Sequence, residues 1–310
     1  MVFLAPLCAR VYCGRNNKNA EKTMGNANSK SLMRGALAAA FLLVVAPVAM
    51  PPQTAEAQVT STVAPYAERL QKARTELQAA ITLKNDANTA IRNLMITNIA
   101  RNGMEFPELA ETSFKELESL TIDRDANVAA EATWQIGMLG EKYETLALPA
   151  LEKMFHLTGY HDNPRRDINI VISALSIGKK HSALADRSWD VLNSVYVDPH
   201  AEAGEHRNHA VAAAVRGLGE LAVKYPRIQT AGALAALQRI ASQSNDTDIV
   251  RGIIDGAANI GQHTANKEVK AQARRIIAAY KNHPDKNVSW NADFQTNYLN
   301  THRLVTAPQP

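Results

Sequence analysis

The residues best suited to chemistry lie in Asp198-Pro-His200-Ala-Glu202-Ala-Gly-Glu205-His206-Arg-Asn-His209, which gathers three of the chain's nine histidines among acids. If a helix begins here, His206 and His209 stand one turn apart, and the positive end of its dipole favours neutral imidazoles able to coordinate a metal. Zinc is the metal such a set would take, with His200, His206 and His209 as ligands. Zn²⁺ needs three or four fixed ligands at about 2.0–2.2 Å, and a loop containing Gly204 does not hold them in place. A solvated loop leading into a helix cap is the stronger reading. The expectation is therefore no cofactor, with zinc as the alternative.

A second polar segment, Tyr160-His-Asp162-Asn163-Pro164-Arg165-Arg166-Asp167, offers two guanidinium groups that could clamp a carboxylate. Asp162 and Asn163 ahead of Pro164 read more simply as a turn. The chain holds no Gly-rich phosphate loop, zincin helix or nucleophile elbow. Gly217-x-Gly219 follows no strand and is not a dinucleotide fingerprint. With no catalytic motif, the expectation is a binding surface and not an enzyme.

Positioning these residues falls to a repeat. Gly137, Gly178, Gly219 and Gly261 each follow an Ile or Leu at intervals of 41, 41 and 42 residues, the length of a helix pair. Such a pair cannot bury its apolar face alone and must stack on its neighbours. Apolar spacing predicts second helices over 127–141, 167–180, 207–225 and 247–263, with first helices over 146–155, 184–197, 229–242 and 269–281. A helix over 108–120 precedes them. Residues 58–105 read as two capping helices, and no stretch alternates with period two for long enough to make a strand.

Val128-Ala-Ala-Glu-Ala-Thr-Trp-Gln-Ile136-Gly137-Met-Leu139-Gly140 and Asp248-Ile-Val250-Arg251 resemble the second helix of HEAT-like (armadillo-type) repeats. The resemblance extends over 106–283 and implies an all-α fold, a right-handed α-α superhelix of about four repeats behind an N-terminal helical cap. It implies that the second helices line the concave side. Aligned on the four glycines, that side carries rungs Arg124, Arg165, His206 and Asp248; Asn127, Ile168, His209 and Arg251; Gln135, Ser176, Gly217 and Asn259; and Met138, Lys179, Glu220 and Gln262. Trp134 and Arg216 stand beside them as binding anchors. The face is mixed in sign and rich in hydrogen-bonding groups, which suits a protein or peptide better than a phosphate backbone. Residues 284–310 gain turn formers and read as a tail, with Trp290, Phe294 and Tyr298 folding back over the last repeat.

Residues 1–57 read as a leader: Lys30 and Arg34 precede an apolar run from Gly35 to Met50, and Ala55-Glu56-Ala57 supplies a cleavage site. The run is shorter than the roughly 20 residues that span a bilayer. Translation can begin at Met1, Met24 or Met33. The reading is an exported, periplasmic protein, with an organelle transit peptide as the alternative. The leader contains six of the 34 basic residues, two of the 30 acids and both cysteines, Cys8 and Cys13. The mature chain then holds 28 of each charge and no thiol, so the basic balance is no sign of nucleic-acid binding, and stability rests on packing. The combined expectation is a non-catalytic exported scaffold. A metal-dependent enzyme at the histidine cluster and, by the resemblance, a lyase or isomerase acting on a bound cofactor or pigment are the alternatives.

Overall fold

The computed structural model describes residues 55–159, 163–197 and 205–301; for 55–64, 196–197, 205–207 and 227–231 it describes the backbone alone. The chain divides into units 1–53 and 54–310, and every described residue falls in the second. The leader lies outside the described residues except for 55–57, which open the first helix.

Among the described residues are twelve α-helices and no strand: α1 (Ala55–Leu83), α2 (Thr89–Glu105), α3 (Pro107–Leu120), α4 (Ala126–Lys142), α5 (Glu144–Leu157), α6 (Pro164–Lys180), α7 (Ala185–Val197), α8 (Glu205–Lys224), α9 (Pro226–Ala241), α10 (Thr247–His263), α11 (Lys267–Ala278) and α12 (Lys286–Thr301). The fold is the expected all-α solenoid. Helix starts follow local chemistry. Asn88, Asp125, Asn163, Asp246 and Asp285 each turn a side-chain oxygen onto amides of the following first turn. Pro107, Pro164 and Pro226 stand at the starts of α3, α6 and α9, where a missing N–H costs nothing.

Even-numbered helices pack successively on one another as an inner layer, and odd-numbered helices form the outer layer. Between the layers runs an aliphatic seam, with Ile99, Leu117, Ile136, Leu151, Ile177, Leu192, Leu218, Leu237, Ile253 and Ile277 fully buried. Inner helices approach more closely than outer ones, so the stack curves with the inner layer on its concave side.

Two kinds of glycine set these approaches, and they correct the alignment read from the sequence. Counted back from the residues that end the inner helices, Phe106, Tyr143, His181, Tyr225 and Thr264, the third place holds Gly103, Gly140, Gly178, Ala222 and Gly261. The sixth place holds Ala100, Gly137, Leu175, Gly219 and Ala258. The four glycines of the 41-residue period thus alternate between two places. Glycines of the third place meet the next outer helix: a Cβ on Gly103 or Gly178 would lie 2.6 Å from the Cβ of Ser113 or Ser188, and one on Gly140 2.6 Å from Ala150. Gly137 and Gly219 instead let inner helices cross, against Ser173 and against the backbone of Gly256.

A recurring clamp joins neighbouring inner helices. Tyr143 Oη donates to the carbonyls of Gly103 and Met104 at 2.9 and 3.1 Å, and Tyr225 Oη to those of Gly178 and Lys179 at 2.8 and 3.2 Å. His181 Nε2 occupies the same place beneath α4, 3.2 and 3.0 Å from the carbonyls of Gly140 and Glu141. Each clamp satisfies carbonyls that a helix end leaves without intrahelical partners.

The tail reading needs correction. Residues 286–301 are helical, and Val288, Ala292, Thr296 and Leu299 cover the last layer. Trp290 and Phe294 point the other way and are 67% and 50% exposed. Residues 302–310 lie outside the described residues.

Candidate interaction face

The corrected register redraws the concave face. Sixteen places before each helix-ending residue stand Asn127, Arg165, His209 and Asp248. Nine before stand Trp134, Ile172, Arg216 and Asp255; five before stand Met138, Ser176, Glu220 and Asn259. Because Asp285 caps α12 as Asp125 and Asp246 cap α4 and α10, Phe294 continues the Trp134 row and Tyr298 the Ser176 row. Side-chain contacts between neighbouring inner helices follow these rows. Arg165 Nη1 donates to Asn127 Oδ1 at 3.2 Å, His209 Nδ1 lies 3.2 Å from Asp248 Oδ2, and Arg216 Nε donates to Asp255 Oδ2 at 3.1 Å.

Several predicted partners therefore separate. Arg124 is not a rung with Arg165; it precedes the cap of α4 and reaches the carbonyl of Ala87 at 3.5 Å. Asn127 aligns with Arg165 and not with Ile168, and Arg251 sits one turn beyond Asp248, 3.7 Å from its carboxylate. Gln135 donates to Glu131 at 2.8 Å, Lys179 pairs with Glu220 at 2.8 Å, and the Asn259 carbonyl accepts from His263 Nδ1 at 2.9 Å. Trp134 is half-buried, as are Ser176 and Arg216.

Other groups on this face escaped sequence reasoning. Leu94 and Ile172 are exposed apolar side chains at 57% and 41%. Asn169 donates to the carbonyl of Ala130 at 2.8 Å, and Asn291 reaches Asp255 at 3.3 Å. The signal that could have found them is the run of cap residues, which sets the register that the glycines obscure.

The charges on the face largely neutralise one another. Glu131 faces Arg165 at 3.9 Å, Glu220 faces Lys179, Asp248 sits between His209 and Arg251, and Asp255 holds Arg216. These are half-exposed pairs, individually worth about 0–1 kcal/mol, so they orient side chains more than they stabilise the stack.

Of the proposed metal ligands, His200 and the ring of His206 lie outside the described residues. His209 is engaged with Asp248. Among the described residues, no three His, Cys, Asp or Glu side chains converge as a metal site. No helix of the described residues is long and apolar enough to cross a membrane.

No family model and no curated protein sequence matches the chain. Solved structures match it in part. A designed armadillo repeat protein in complex with the peptide (KR)4 is 16% identical and matches with a TM-score of 0.49, over 72% of this chain and 99% of that one. An engineered protein gives a TM-score of 0.47 at 16% identity, over 73% of this chain and 99% of that one. A computationally designed armadillo repeat protein for modular peptide recognition gives 0.44 at 16% identity, over 72% and 99%. At such values the likeness carries no argument about a ligand or a role.

Proposed function

We propose that this chain is a non-catalytic scaffold whose concave face holds a protein or peptide partner in an extended conformation. The supporting observation is the continuity of the inner rows across α2 to α12. Six helices spaced 8–10 Å apart make a face of about 40–50 Å, the length of roughly 12–15 extended residues. Along it, apolar Leu94, Trp134 and Ile172 alternate with amides and balanced ion pairs, a composition that can meet both the side chains and the main chain of a polypeptide. A phosphate backbone would instead call for unpaired cations.

Ile172→Ser and Arg216→Glu alter exposed or half-exposed side chains and leave the core untouched. Partner capture from cell-envelope extracts by the full chain should be lost in the double variant, while stability falls only by the roughly 1–2 kcal/mol expected from exchanging the Arg216–Asp255 pair for a like-charge contact. Capture of nothing reproducible, or of the same proteins by the variant, would count against the reading. Export is part of the proposal: the purified protein should begin at Gln58, and an unprocessed chain recovered from the cytosol would contradict it.

Zinc binding is the second reading, and its one support is the His209–Asp248 contact. A carboxylate holding Nδ1 leaves Nε2 oriented as in metal-bound histidines. Elemental analysis of untagged protein separates the two, since less than about a tenth of an equivalent of zinc removes this reading.

A further inference from the structure

The outward face of α12 differs from that of every other inner helix. Where α2, α4, α6, α8 and α10 bury Ile96, Thr133, Val171, Val215 and Ile254 against the following layer, α12 places Asp293. Where they carry Ala100, Gly137, Leu175, Gly219 and Ala258, it places Asn297. Among the described residues these polar side chains form the last face of the stack. A cap needs nothing more, yet the same face carries Trp290 at 67% and Phe294 at 50% exposure. Their rings lie 5.5 Å apart and within 14° of parallel, so Phe294 covers one side of the indole and leaves the other to solvent.

Helical spacing puts Asn287, Trp290, Phe294 and Asn297 on one line, with exposed amides at both ends of the aromatic pair. The two asparagines stand about 15 Å apart along the axis. Asp293, at the side of this line, is neutralised by Lys281 at 3.2 Å. The result is a platform with an apolar centre, amide donors and acceptors at its ends and a single exposed cation, Lys286, at its edge.

We propose that this platform binds a neutral oligosaccharide, one pyranose stacking its C–H face on Trp290 while flanking hydroxyls bond to Asn287 and Asn297. The chemistry selects against the other occupants. An apolar helix would need a continuous greasy stripe, which Asp293 and Asn297 interrupt. An anionic bilayer or a single-stranded nucleic acid would need several unpaired cations, whereas this face offers only the exposed Lys286 one turn before Trp290, Lys281 being paired with Asp293. A sugar needs only an open aromatic face and neutral groups that both donate and accept. This site adjoins the concave face, whose rows Phe294 and Asn287 continue, but it does not rest on that face having a polypeptide partner.

Isothermal titration of the full chain with cellohexaose and with chitohexaose tests the proposal. At least one should bind saturably. Trp290→Ala should weaken it about tenfold or more and Asn297→Ala by a smaller factor, while Leu148→Ser, on an outer helix, should leave it unchanged. Trp290→Phe keeps a stacking face and should recover part of the affinity. Absence of saturable binding by either sugar up to ~10 mM overturns the proposal. So does binding that Trp290→Ala leaves intact, or tighter binding of oligouridine than of either sugar.

Discussion

Gly219 and Gly232 are both helical glycines, yet a methyl group should act on them in opposite directions. A Cβ on Gly219 would lie 2.7 Å from Cα and 2.8 Å from the carbonyl oxygen of Gly256, backbone that can yield only by moving α8 away from α10. Gly219→Ala should therefore cost about 1–3 kcal/mol, as overpacking does. On Gly232 the nearest atom is the Trp189 ring at 3.8 Å, ordinary contact. Gly232→Ala should gain about 0.5–1 kcal/mol through helix propensity. Thermal melts of both variants check the pair, and a stabilised Gly219→Ala would remove close helix crossing as the cause of the curvature. The same scale shows why the predicted rungs were misaligned. Gly137 and Gly178 both follow Ile and both relieve a crowded crossing, but one faces an inner helix and the other an outer helix, a distinction invisible in residue type.

At the scale of the element, helix ends carry the information that helix middles do not. The clamps made by Tyr143 and Tyr225 each join two inner helices, so removing a hydroxyl should cost about 0.5–1.5 kcal/mol. They also give the fold an alkaline limit. Burial raises the pKa of Tyr143, helped by the charge of Glu108, and burial raises that of Tyr225, both from the usual 10.0. The folded state thus favours the protonated phenols. Their stabilisation is complete below pH 10 and is lost as pH rises through the shifted folded values. Denaturation between pH 9 and 12 should be less steep with pH in the Tyr143→Phe, Tyr225→Phe double variant than in the parent; equal slopes would mean that the clamps do not couple to stability.

Helix positions from 107 to 281 were legible because Val128, Ala132 and Ile136, like Ile249, Ile253 and Ile260, repeat on one face. α12 was not. Its four asparagines read as turn formers, and only the cap Asp285 with Val288, Ala292 and Leu299 at helical spacing signals it. The aromatic side chains misled for a related reason: hydrophobicity alone suggested cover, whereas period places Trp290 and Phe294 opposite Leu299. Asn127, Trp134, Arg165, Ser176, His209, Arg216, Glu220 and Asn259, named from the sequence, lie on the inner rows, but which of them touch depends on a register shift of three places that the sequence period averages away.

At the scale of the molecule, the six helix pairs of the described residues stack so that each is stable only against its neighbours, and the inner layer becomes one surface longer than any single helix pair offers. Its apolar and amide groups can be met by a chain lying along it. Its function in this account is to hold another polypeptide. The most direct measurement places a photo-crosslinking amino acid at Ser176 or Asn259 on the inner face, and at Ala271 or Leu148 on the outer helices, of the full chain in living cells. One shared partner should be crosslinked from both inner positions and from neither outer one; crosslinks confined to the outer positions would contradict a partner held on the concave face.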